Sequence, residues 1–120
     1  MTPMNNLKQN IQQRFKVTEI KPQRDDLLLV MVEKEETLPL VTYLRDYEGM
    51  AHFVLLSAVD WLEEGVFQLT YILNHPDKHF DVAVRTLIAR EHATMTSAHH
   101  LWEQIATYQR ELKEMYGIDF

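Results

Sequence analysis

Along the first fifteen residues the apolar positions Met4, Leu7, Ile11 and Phe15 recur three or four apart among Asn, Gln and Lys, the spacing of one helical face. Thr2 followed by Pro3 offers a capping side chain and a proline at the first helical position, so the chain is predicted to open on an amphipathic helix. The pattern then becomes extended. KVTEI (16–20) and LLLVMV (27–32) read as strands, and KPQRDD between them holds a proline and two aspartates suited to a turn, which predicts a hairpin. Thr37 and Pro39 begin a second helix with Leu40, Val41, Leu44 and Tyr47 on one face and Gly49 just past its end. The period next changes to two. HFVLLSAV (52–59), VFQLTYIL (66–73) and HFDVAVRTLI (79–88) alternate as three strands, joined by WLEEG and NHPDK as a meander. From Ser97 the spacing is helical again through Ala98, Leu101, Trp102, Ile105, Tyr108, Leu112 and Met115, until Gly117 stops it.

The order helix-ββ-helix-βββ-helix predicts an α+β fold of two layers over residues 1–120. Its sheet is expected to be mixed, mainly antiparallel and five-stranded, with the first two helices on one face. The last helix, within a carboxy-terminal segment 97–120, is expected to be free to point elsewhere.

Composition narrows the function more than the fold. A net charge of −6 with twelve dispersed Lys and Arg argues against a nucleic-acid groove, which needs clustered cations for phosphate. The longest nearly uncharged stretch, AHFVLLSAVDW, is about half a membrane span, and the amino-terminal residues show no basic and apolar signal pattern, so a cytoplasmic location is expected. With no cysteine, thiolate catalysis, disulfides and Cys-held zinc or iron-sulfur sites are excluded.

The six histidines are the main candidates for chemistry. His75 and His79 are four apart, but Pro76 makes that segment a turn; His99 and His100 diverge around a helix, and no HExxH motif completes a metal set. Ser57 and Ser97 lack a nucleophile elbow, Glu35-Glu36 and Glu63-Glu64 read as solvated charges, and the three isolated glycines form no phosphate loop. No catalytic, cofactor-binding or metal-binding residue is assigned. The alternative these residues leave open is a small stand-alone metal-dependent enzyme built on His92, His99 and His100.

The ending TSAHHLWEQIATYQRELKEMYGIDF, with the meander before it, resembles the carboxy-terminal end of the 30 kDa (C-type) subunit family of NADH:quinone oxidoreductase, respiratory complex I, and related subunits of membrane-bound energy-converting [NiFe] hydrogenases. That family typically carries W-x-E-R-E-x-x-D-M-F-G-I-x-F. Here Thr107 stands for the tryptophan, Gln109-Arg110-Glu111 for the next charged run, Glu114 for the aspartate, and Met115-Tyr116-Gly117-Ile118 and Phe120 follow. The likeness spans roughly residues 50 to 120. Complex I members usually continue past the last phenylalanine with Gly-His-Pro and a basic tail; the stop at Phe120 is closer to the short hydrogenase-type subunit.

The resemblance implies a structural and assembly subunit with no catalytic residue or cofactor of its own. It would dock onto the large quinone-reactive or [NiFe]-bearing subunit, beside an iron-sulfur subunit, at the cytoplasmic face of the membrane and touching the membrane only through the complex. Electrons would pass through clusters in those neighbours. The implied partner interface is Arg110, Glu111, Glu114, Met115, Tyr116, Gly117, Ile118 and Phe120. Physical chemistry adds one expectation: Tyr116, Ile118 and Phe120 close the chain with little after them to bury them, so a partner should cover them.

Overall fold

In a computed structural model that describes residues 2–120, the elements are α1 (Pro3–Arg14), β1 (Val17–Arg24), β2 (Leu27–Val32), α2 (Lys34–Tyr47), β3 (His52–Trp61), β4 (Val66–His75), β5 (Phe80–Ala89) and α3 (Ile105–Tyr116), with a short 3-10 turn at Leu62–Glu64. The predicted order is the observed one. The five strands form one sheet in the order β1-β2-β5-β4-β3. Every pairing is antiparallel except β2 with β5, which runs parallel from Leu27↔Asp81 to Met31↔Arg85.

Strand alternation divides this sheet into two unlike faces. Leu28, Val30 and Val32 on β2, Val82, Val84 and Ile88 on β5, Phe67, Leu69, Tyr71 and Leu73 on β4, and Phe53 and Leu56 on β3 all point to one side and are buried. Met4, Leu7 and Ile11 of α1, Leu40, Val41 and Leu44 of α2, and Ile105 and Leu112 of α3 join them in a single core. The expectation that α3 points away from the sheet is therefore corrected. Its apolar stripe is long enough to pack beside β3, where full burial of each Ile or Leu contributes roughly 1.5–3 kcal/mol.

β3 and β4 each run two residues past their expected ends, to Trp61 and His75, β5 is shifted by one, and the other departures have a local reason. β1 runs through Pro22 to Arg24, because on an edge strand a residue without an N–H is tolerated, and the turn shrinks to Asp25-Asp26. α2 starts at Lys34 rather than at Thr37, whose hydroxyl instead donates to the Glu33 carbonyl at 3.1 Å. Glu35 and Glu36 then occupy the first turn, where negative charge suits the helix dipole, and Tyr47, expected on the buried face, is 79% exposed.

The largest shift is at residues 97–104, which form turns and not the first two turns of α3. Ser97 Oγ lies 2.8 Å from His99 Nδ1, and the Gln109 side-chain amide donates to Ser97 Oγ at 2.8 Å while its oxygen accepts the Ala98 N–H at 3.0 Å. This local side-chain network competes with helical hydrogen bonding, and Leu101 N–H bonds three residues back to Ala98 in a tight turn. Ala98 and Leu101 still reach the core.

Candidate partner interface

α3 has two sides of opposite character. Ile105, Gln109 and Leu112 are buried against the sheet, and Arg110, Glu111, Glu114 and Met115 face outward. Buried Gln109 is satisfied by the 97–98 backbone and Ser97, so it organises the turns before the helix. Among the described residues, Arg110, Glu111 and Glu114 make no ion pair; the nearest pair, Lys113 Nζ to Asp119 Oδ1 at 2.7 Å, lies on the exposed surface. The hydrogen bond that Lys113 donates to Asp119, and then the charge of Asp119, raise the Lys113 pKa.

Gly117 ends the helix at φ 74°, and its N–H bonds to the Lys113 carbonyl at 2.8 Å. This left-handed step is available to glycine without steric penalty, and it turns the chain back onto the domain. Ile118 then enters the core with no exposed surface. Asp119 N–H donates to the Ala93 carbonyl at 2.9 Å, and Met95 N–H donates to the Asp119 carbonyl at 2.8 Å, making a one-rung parallel bridge. Tyr116 packs on Phe67 with ring centroids 5.2 Å apart. The expectation that the chain end lacks cover is thus corrected for Ile118 and largely for Tyr116: residues 93–95 and β4 supply it. Phe120 is half-buried and lines a hollow of about 330 Å³ with Lys34, Thr94, Met95, Thr96 and Asp119.

The histidines are scattered in role. His75 is buried, and its Nδ1 accepts the backbone N–H groups of Asp77 and Lys78 at 3.2 and 3.1 Å, so it shapes the β4–β5 turn. His99 and His100 are exposed, with rings nearly perpendicular and 6.4 Å apart, and His92 is an exposed residue at φ 55°. Among the described residues no three His, Asp or Glu side chains converge as a metal set.

Two other features escaped the sequence reading. Tyr43 donates its hydroxyl to Glu48, which also accepts from Asn10, and burial followed by that bond pushes the Tyr43 pKa up to about 12. Arg90 grips Asp60 through two hydrogen bonds of 2.8 and 3.0 Å and lies over the Phe67 ring, holding the Asp60 carboxyl below its ordinary range. Spacing alone reveals neither the Asn10–Glu48 nor the Arg90–Asp60 contact, since the partners are thirty or more residues apart across the fold.

Residues 30–120 match the model of the family described as respiratory-chain NADH dehydrogenase, 30 Kd subunit. The chain belongs to that family. It is 26% identical over 117 residues to the C-type subunit of the NADH-quinone oxidoreductase of Moorella thermoacetica, covering 98% of this chain and 78% of that protein. A fused C/D-type subunit of the NADH-quinone oxidoreductase of a Hydrogenobaculum species is 31% identical over 109 residues, covering 89% of this chain, which spans only 19% of the fused protein. The same fold recurs in a chain of the membrane-bound sulfane sulfur reductase, an archaeal respiratory membrane complex, at TM-score 0.82 and 23% identity, covering 98% of this chain and 69% of that one. It recurs again in a trypsin-resistant fragment of Nqo5, at TM-score 0.82 and 16% identity, covering 99% and 96% of the two chains. This 30 Kd-family chain is thus a subunit of the complex I type. No helix among its described residues is long and apolar enough to cross a membrane.

Proposed function

We propose that this protein is a non-catalytic structural subunit that docks onto the large subunit of a complex I-type or energy-converting hydrogenase-type assembly, peripheral to the membrane. The observation that carries this reading is the outer side of α3. Arg110, Glu111 and Glu114 are exposed charges without an ion-pair partner among the described residues, Met115 is 67% exposed beside them, and the inner side of the same helix is fixed in the core. A rigid helix presenting unpaired charges around an apolar residue is a pre-organised docking face. The fused C/D relative supports the large subunit as the occupant, since one polypeptide there carries both parts.

The interface proposed from the sequence narrows accordingly. Arg110, Glu111, Glu114 and Met115 make the contact, Phe120 flanks it, and Tyr116, Gly117 and Ile118 hold the helix end in position. Co-purification of the large subunit with wild type, Arg110→Ala and Met115→Asp tests this. Removing Arg110 from a desolvated carboxylate partner should weaken binding by about 2–5 kcal/mol while the isolated domain melts as before. Wild-type retention of the large subunit by both variants would refute the α3 interface.

A further inference from the structure

One corner of the sheet face turned away from the helices is apolar, although Ser57, Thr70, Asp81 and Arg85 elsewhere on that face give it the polar residues that an uncovered sheet normally presents. By register, Val59 and Trp61 of β3, Val66 and Gln68 of β4, Leu87 and Ala89 of β5, and Met31 of β2 share it. Val59, Trp61 and Leu87 are exposed, and Leu62, next in the chain, is 65% exposed. Met31, Trp61, Glu64, Val66, Gln68 and Leu87 line an open groove of about 520 Å³. A second hollow, formed by Asp60 and residues 61–64, adjoins it.

This corner is fixed in place. The Trp61 indole N–H donates to Gln68 Oε1 at 3.3 Å across the strands. Gly65 turns the chain at φ 70°, Arg90 N–H bonds to the Gly65 carbonyl at 2.9 Å, and the Arg90–Asp60 pair clamps β5 to β3. An exposed apolar groove with a rigid rim marks a binding surface.

Charge selects the occupant. Asp60 is already neutralised by Arg90, but Glu63 and Glu64 at the groove's mouth make no ion pair among the described residues. A second copy of this protein would bring the same carboxylates and another net −6, and anionic lipid or nucleic acid would meet the same repulsion.

We propose that the Val59, Trp61, Leu62, Leu87 face is a docking surface for a basic protein segment that places a large apolar side chain in the groove and Lys or Arg on Glu63 and Glu64. This surface lies on the other side of the sheet from the layer containing α3 and is additional to the α3 interface; it rests on the reading of the chain as part of a larger complex.

The test places p-benzoyl-phenylalanine at Leu62 or at Leu87 in the full chain, irradiates the complex purified with its own subunits, and maps the cross-links by mass spectrometry. Both positions should link to one protein segment with Lys or Arg beside an apolar residue. Glu63→Lys combined with Glu64→Lys should lower that yield about tenfold, with the melting temperature of the isolated chain unchanged. Links to a second copy, to lipid or to an acidic segment, no link in an intact complex, or a yield indifferent to charge reversal would each overturn the proposal. Failure to purify any complex would instead refute the subunit reading, and this surface with it.

Discussion

Gly49, one residue past the Glu48 cap of α2, and Gly117, the cap of α3, are both in the left-handed region at φ 74°, and each is followed by a fully buried apolar residue, Met50 and Ile118. The surroundings differ. A Cβ at Gly49 would lie 2.7 Å from His75 Nε2, whereas at Gly117 it would meet nothing within 4 Å. The His75 ring has little room to retreat, since its Nδ1 holds two backbone N–H groups and its face stacks on Phe80. The same positive φ therefore needs glycine for packing as well as for chain direction at one helix end, and for chain direction alone at the other. The carboxy-terminal corner is the more permissive of the two in side chain, but equally strict in what it must bury.

The sharpest way to break the parallel is to remove what Gly117 leads to. A chain ending at Met115 should lose the burial of Ile118, about 2–5 kcal/mol, and the two backbone bonds to residues 93–95, roughly 1 kcal/mol each. A strongly lowered thermal midpoint is expected, and a wild-type melt would show that the corner is dispensable. Next in size is Gly49→Ala, where left-handed strain of about 1–2 kcal/mol adds to overpacking of about 1–3 kcal/mol against His75. Combining it with His75→Ala should recover the overpacking part, and additivity in that double-mutant cycle would contradict the contact. Gly117→Ala should show the strain alone, about 1–2 kcal/mol, with Gly117→Asn milder because asparagine visits this conformation more readily. Equal losses at Gly49 and Gly117 in urea titration would erase the distinction.

The smallest effect is expected at the Arg90–Asp60 clamp. Because Arg90 lowers the folded-state pKa of Asp60, the pair stabilises the fold above the ordinary value near 3.8 and loses this contribution as pH falls through the lower folded value. Asp60→Asn should accordingly show a slightly smaller drop in melting temperature between pH 7 and pH 3 than wild type. A larger drop would reverse the sign of this linkage.

Sequence periodicity exposes the element order because the apolar positions change cleanly from a spacing of three or four to a spacing of two and back. It fails at residues 97–104, where Ala98, Leu101 and Trp102 keep helical spacing but Ser97 and Gln109 draw the backbone into turns. For α3, spacing locates the segment and sorts its residues incompletely. Ile105, Gln109, Leu112 and Tyr116 advance by four, three and four, so the stripe leaning on the domain runs through a glutamine, and Met115 falls one residue off it into solvent. Ile118 looks unprotected in the sequence because its cover, residues 93–95, lies beyond the reach of local spacing. In β2 the unbroken run LLLVMV hints that part of the sheet's outer face is also apolar.

The parallel pairing of β2 with β5 joins positions some fifty residues apart, as in Leu27↔Asp81. The hairpin β1–β2 and the meander β3–β5 can each form from near neighbours, but the rung between them closes a long loop and is the slow step expected of a nonlocal contact. During synthesis β2 must wait, one edge unpaired, until β5 has left the ribosome. That interval, rather than the finished fold, is when Leu28, Leu29 and Val30 are most open to aggregation or to a chaperone.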